Sequence, residues 1–208
     1  MNTISRKTAV IDGSKIDSIG NEITSRTEPV IIKGLVSNWP LVKAGLKSDE
    51  SAIEYLKNNY NGRPAGVYFG EPSIKGRFAY NESATELNFA VRKMPLDEML
   101  DKLQKTKTET NPESIYIASN SIDGHFPELK TANQLPINEA AFAPLSEQEA
   151  DVIAGIWIGN KTLVSCHFDA QNNIACCVAG KRRFTLFPPE QIHNLYPGPL
   201  DPKTGGQA

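Results

Sequence analysis

His167 and Asp169 stand two residues apart in the run His167-Phe168-Asp169. In an extended backbone, side chains two apart point to the same face, so this imidazole and carboxylate can grip one cation. On a helix they would diverge. The flanks, Leu163-Val164-Ser165-Cys166 and Ile174-Ala175-Cys176-Cys177-Val178, are apolar and either β-branched or small, which predicts a strand on each side. One His and one carboxylate are two of the three ligands of a 2-His-1-carboxylate site, which holds non-haem Fe(II) and leaves positions open for co-substrate and oxygen. The remaining histidines are His125, in a loop after Asp123-Gly124, and His193, in a short helical turn after Pro188-Pro189. Both are expected to be surface side chains rather than the third ligand. A zinc site from Cys166, His167, Cys176 and Cys177 is the weaker reading, because it lacks the paired C-x2–4-C spacing of structural zinc sites. Adjacent Cys176 and Cys177 would also face opposite sides of a strand, and small buried hydrophobes account for them better.

The dyad needs a scaffold, and the pattern around it is strand-rich. From Val152 onward the chain predicts strands over 153–158, 162–168, 173–178 and 182–187, broken by Gly159-Asn160 and Ala179-Gly180. Upstream, residues 29–36 read as a buried strand ended by Ser37-Asn38-Trp39-Pro40. Residues 49–60 read as a helix capped by Ser48 or Asp49 and stopped at Asn61-Gly62. Short strands follow at 66–69, 77–80 and 86–89. A helix begins at Pro95, with Leu96, Met99, Leu100 and Leu103 as its core-facing stripe, Asp97 and Glu98 early, and Lys102, Lys105 and Lys107 late. Residues 115–118 are expected as a strand, and Phe126 to Pro144 as a loop-and-helix region. The expected class is α+β, mostly β, closing toward a small barrel or sandwich.

Composition narrows the function. The chain has 208 residues, 39% of them hydrophobic and 22% charged, with a formal net charge of −2, which fits one globular domain. Lys181-Arg182-Arg183 is too short to form a basic stripe, so no DNA partner is expected. No apolar run approaches the roughly 20 residues of a membrane span, and the N-terminus lacks the apolar centre of a signal peptide. Three cysteines, two of them adjacent, form no disulfide framework, which points to a reducing, cytoplasmic setting.

Taken together, His-Phe-Asp-x-Gln-x-Asn at 167–173, Gly180-Lys181-Arg182-Arg183-Phe184-Thr185-Leu186-Phe187-Pro188-Pro189-Glu190-Gln191, Leu195-Tyr196-Pro197 and the upstream 29–40 segment resemble the cupin-like JmjC family. The resemblance covers most of the chain in order. The best-known relative in this resemblance is the asparaginyl hydroxylase that acts on hypoxia-inducible factor. It implies a double-stranded β-helix (jelly roll) and an Fe(II)- and 2-oxoglutarate-dependent dioxygenase using O2. His167 and Asp169 are implied as metal ligands, with Asn173, Arg182 and, more loosely, Tyr116 near the co-substrate. Arg182 replaces the Lys common in the family; it keeps the charge and can bind a carboxylate bidentately. Val164 replaces a Thr whose hydroxyl would reach the co-substrate. The family's distal His lies in a later stretch, so the chain is expected to be the first part of a longer domain. Residues 1–150 would then be an α+β lead-in and 151–208 the first core barrel strands. The implied substrate is a protein or peptide side chain, with a small molecule as an alternative, and a homodimer is expected of the full domain. A non-catalytic, cupin-like binding module is the competing function.

Overall fold

The computed structural model describes residues 7–137, 154–169 and 172–198. The chain opens with β1 (Ala9–Asp12), a short helix α1 (Asn21–Thr24) and β2 (Val30–Lys33). The two strands pair in parallel, with Ala9 opposite Val30 and Asp12 opposite Lys33. β2 is shorter than the 29–36 run and is not fully buried, because Ile31 faces outward in a ladder of only two strands.

Two consecutive helices follow, α2 (Pro40–Lys47) and α3 (Asp49–Asn58). The sequence reading missed α2 by taking Trp39-Pro40 only as a turn. Proline instead fills the first helical turn, where its absent N–H costs nothing. Ser48 separates the helices and caps α3, its hydroxyl accepting from Ser51 N–H at 3.1 Å.

The central sheet is four-stranded and antiparallel, in the order β5 (Ala90–Met94), β3 (Ala65–Gly70), β6 (Ser114–Ser121) and β7 (Gly155–Gly159). The strand expected at 86–89 falls instead at 90–94, and the earlier segment contributes only the isolated bridge between Tyr80 and Leu87. Period-2 alternation sends Ala65, Val67 and Phe69 of β3 to one face, where Ile115 and Ile117 of β6 join them. Onto that face pack Leu41, Ala52, Leu56 and helix α4 (Leu96–Thr106), whose Leu96, Met99 and Leu100 are fully buried. Helices α5 (Ile122–His125) and α6 (Pro127–Ala132) close the end of the core with Phe126 and Leu129. A separate two-residue parallel ladder joins β4 (Arg77–Phe78) to β8 (Leu163–Val164).

The strands expected over 173–178 and 182–187 are not formed, and of 162–168 only Leu163–Val164 is a strand. Extended, apolar residues become a sheet only when another strand completes their hydrogen-bond ladder. No strand among the described residues pairs with 172–187. The segment meets the helical layer instead, where Val178 packs against the core cluster. At Gly45 of α2, a Cβ would come within 2.8 Å of the Val178 carbonyl oxygen and 2.9 Å of the Ala179 methyl, so glycine permits their close approach.

At the other end of the helical layer, Lys107 lies 2.9 Å from Asp49 and 3.0 Å from Glu50, joining the start of α3 to the end of α4. Its own backbone N–H, followed by Lys107 and Ser48, lowers the Glu50 carboxyl from 4.5 to about 2. A carboxylate depressed on folding stabilises the native state above its unfolded value and loses that contribution as pH falls through the folded value. The expected result is a melting temperature that declines between pH 4.5 and about 2, and declines less in Lys107→Ala, as read by circular dichroism. Equal slopes for the two proteins would remove this ion cluster from the acid response.

Candidate metal and co-substrate site

β4 and β8 set the position of the dyad. Phe78 pairs with Val164, and one residue later the Ser165 hydroxyl donates to the Phe78 carbonyl at 3.1 Å. The Ser165 carbonyl then lies 2.8 Å from His167 Nδ1. A carbonyl only accepts, so Nδ1 carries a proton, and in the neutral imidazole the lone pair is on Nε2. Nε2 faces Asp169 Oδ1 at 3.9 Å, and the other oxygen, Oδ2, accepts from Asn173 Nδ2 at 2.7 Å. His167, Asp169 and Asn173 are all exposed, with His167 and Asp169 side chains at 60% and 55% accessibility.

With metal–ligand bonds of roughly 2.1 Å, adjacent ligands stand about 3.0–3.4 Å apart, so donors now 3.9 Å apart reach one ion by closing less than about 1 Å, within the reach of two exposed side chains. A neutral imidazole lone pair and a carboxylate oxygen also suit a divalent first-row metal chemically. The dyad therefore fits two ligand positions. Among the described residues no group of three or more His, Cys, Asp and Glu side chains is arranged around one point. His125 contacts the Ser121 carbonyl in α5, and His193 lies exposed in the 3-10 turn Pro189–Asn194.

The zinc reading also fails on chemistry. Burial raises the Cys176 thiol to about 11, which disfavours the thiolate a zinc ion needs. Cys177 instead directs its sulfur toward the Ala179 and Gly180 carbonyls.

The second half of the site lies on the sheet face away from the helices. Tyr116 of β6 is only 7% exposed and belongs to an aromatic group with Tyr68, Phe78 and Phe89, at ring distances from 5.1 to 6.3 Å. A Cβ at Gly159 would come within 2.8 Å of the Tyr116 ring, so this glycine lets β7 lie flat beside it. Burial raises the Tyr116 phenol, and the hydrogen-bonded Arg182 guanidinium partly opposes that shift. Arg182 also lies 5.1 Å over the Phe184 ring, a cation–π contact that steadies its plane. Tyr116 and Arg182, far apart in sequence, are therefore brought together. Phe78 joins the halves: its ring contacts Tyr116 at 5.7 Å and its carbonyl holds Ser165.

Residues 17–208 match the family model of the cupin-like domain. The chain belongs to that family. Within it, this cupin-like chain is 24% identical over 191 residues to JmjC domain-containing protein D of Dictyostelium discoideum, covering 88% of the chain and 40% of the relative. It is 25% identical over 173 residues to lysine-specific demethylase 8 of Danio rerio, covering 82% and 37%. JmjC domain-containing protein E of Dictyostelium discoideum is 26% identical over 185 residues, covering 84% and 50%. The chain thus spans between 37% and 50% of the length of these curated relatives. The α+β architecture, an antiparallel sheet flanked by helices, agrees with a cupin-like jelly roll.

Ser165 and Phe78 escaped the sequence reading. Ser165 acts through a main-chain carbonyl and a hydroxyl aimed at another strand, and neither leaves a motif. Phe78 looked like an ordinary strand aromatic. Val164 pairs with Phe78 and is 42% exposed, offering no hydroxyl to a ligand.

Proposed function

We propose that this cupin-like domain is part of an Fe(II)- and 2-oxoglutarate-dependent oxygenase acting on protein side chains, with His167 and Asp169 as two of its metal ligands. The observation that carries the reading is the convergence of a lone-pair Nε2 and a carboxylate oxygen at 3.9 Å. Kinship to JmjC proteins, one of them named a lysine-specific demethylase, supports the reaction and substrate class. Bound Fe(II) would supply the redox chemistry that reduces O2. The overall balance is substrate C–H, 2-oxoglutarate and O2 giving C–OH, succinate and CO2.

In this reading the protein binds and orients. The Ser165 carbonyl selects the Nδ1–H tautomer of the neutral His167 imidazole, so the lone pair offered to a metal is the one on Nε2. Arg182 offers a bidentate fork to the distal carboxylate of 2-oxoglutarate, and the Tyr116 hydroxyl donates to the same group. Burial keeps that phenol protonated, and therefore a donor, well above neutral pH. The ring group of Tyr68, Phe78 and Phe89 gives that end an apolar wall beside Tyr116.

The test is 2-oxoglutarate consumption and succinate formation with Fe(II), assayed with histone-type and general peptide mixtures, alongside Mn(II) titration. Hydroxylation of a methyl carbon on nitrogen releases formaldehyde, whereas hydroxylation elsewhere leaves the oxygen on the peptide, so product analysis separates the two outcomes. Metal binding with coupled succinate formation is expected. Absence of both would favour a non-catalytic binding module, a reading supported by the mere two converging ligand-type side chains among the described residues.

A further inference from the structure

We infer that Asn173 is a positioning residue for Asp169, fixing which carboxylate oxygen turns toward His167 before any co-substrate arrives. This rests on the reading of His167 and Asp169 as metal ligands. Asp169 can only accept, so the 2.7 Å contact identifies the Asn173 group facing it as the amide N–H. The contact occupies Oδ2 and leaves Oδ1 directed to Nε2 of His167. An amide is suited to this task because it is a neutral donor: a Lys or Arg there would neutralise the carboxylate and compete with a cation for it.

Ser165 performs the matching task for the imidazole. Its carbonyl fixes the tautomer, and its hydroxyl ties that carbonyl to Phe78 of β4. Each ligand thus has its unused polar atom held by a separate neighbour. Without Asn173, the exposed Asp169 side chain would rotate freely between its two oxygens and would lose rotamer entropy on binding an ion. Partners that orient metal ligands typically contribute about 10–100-fold in metal affinity.

The experiment is Mn(II) titration without 2-oxoglutarate, following free Mn(II) by electron paramagnetic resonance, on wild type, Asn173→Leu, Asn173→Gln and Asp169→Ala. Asn173→Leu should weaken Mn(II) binding about 10-fold or more, with an unchanged melting temperature because the side chain is exposed. Asn173→Gln, which keeps the amide on a longer stem, should recover part of the loss. If Asp169→Ala abolishes binding while Asn173→Leu stays within about 2-fold of wild type, the positioning role is overturned and the ligand reading stands. A parallel titration of 2-oxoglutarate into the Mn(II)-loaded proteins reads the other role: a loss in Asn173→Leu seen only there overturns the inference too, assigning the amide to the co-substrate. If Asp169→Ala binds Mn(II) as wild type does, the ligand reading fails and this inference falls with it.

Discussion

In the proposed oxygenase, Asp169→Ala should reduce 2-oxoglutarate turnover to the level of buffer while the protein stays folded. Among the described residues the carboxylate has one partner besides His167, the exposed Asn173, so its removal leaves no buried group among them orphaned. Stability should therefore change by less than about 0.5 kcal/mol, as for other surface substitutions. Metal affinity should collapse, because the imidazole alone holds a divalent ion weakly and presents no negative charge. Succinate assays and thermal melts on the same preparation read both effects. Turnover that survives the substitution would falsify Asp169 as a metal ligand. Full turnover loss accompanied by unfolding would instead make the residue structural.

Phe126→Ala should cost about 3–5 kcal/mol, the range for emptying a buried aromatic site. Phe126 is fully buried between α5 and α6, with its ring 5.7 Å from that of Tyr60. Tyr60 in turn donates to the Arg63 carbonyl at 2.6 Å and accepts the Leu96 N–H at 3.0 Å, so it fixes the first turn of α4. Truncating Phe126 leaves a cavity beside this joint and loosens the helix that covers the sheet. Small domains have only about 5–15 kcal/mol in hand, so a large share of the native stability would go. Urea denaturation followed by tryptophan fluorescence gives the number, and a loss below about 1 kcal/mol would show that α5 and α6 are not integral to the core.

The helical layer was the most legible part of the chain. Leu96, Met99, Leu100 and Leu103 stand at helical spacing between acidic and basic ends, and Ser48 is a strong capping residue, so α4 and α3 follow from local chemistry. The segment at 173–187 was misread for the complementary reason. Its residues favour strands, but a strand is a pairwise object, and no partner for this one lies among the described residues. The same split runs through the site. His167-Phe168-Asp169 announces itself by spacing and residue type, and Tyr116 and Arg182 were singled out by resemblance. What seats Tyr116 there, its ring packing on Phe78 and the missing Cβ at Gly159, depends on contacts no local pattern encodes.

The ladder between Arg77–Phe78 and Leu163–Val164 is only two residues long, yet the Ser165 hydroxyl hangs directly from it. So short a pairing opens far more readily than the four-stranded sheet beside it. In the proposed site the orientation of His167 runs through this latch, so the apparent affinity for a metal would be the intrinsic one scaled by the closed fraction. By the same linkage, a bound ion would pull the latch closed and slow amide exchange at Arg77–Phe78, a strand that carries none of the proposed ligands. The ion would thus act as a clasp between two distant stretches of chain, organising this edge of the domain as well as serving its chemistry.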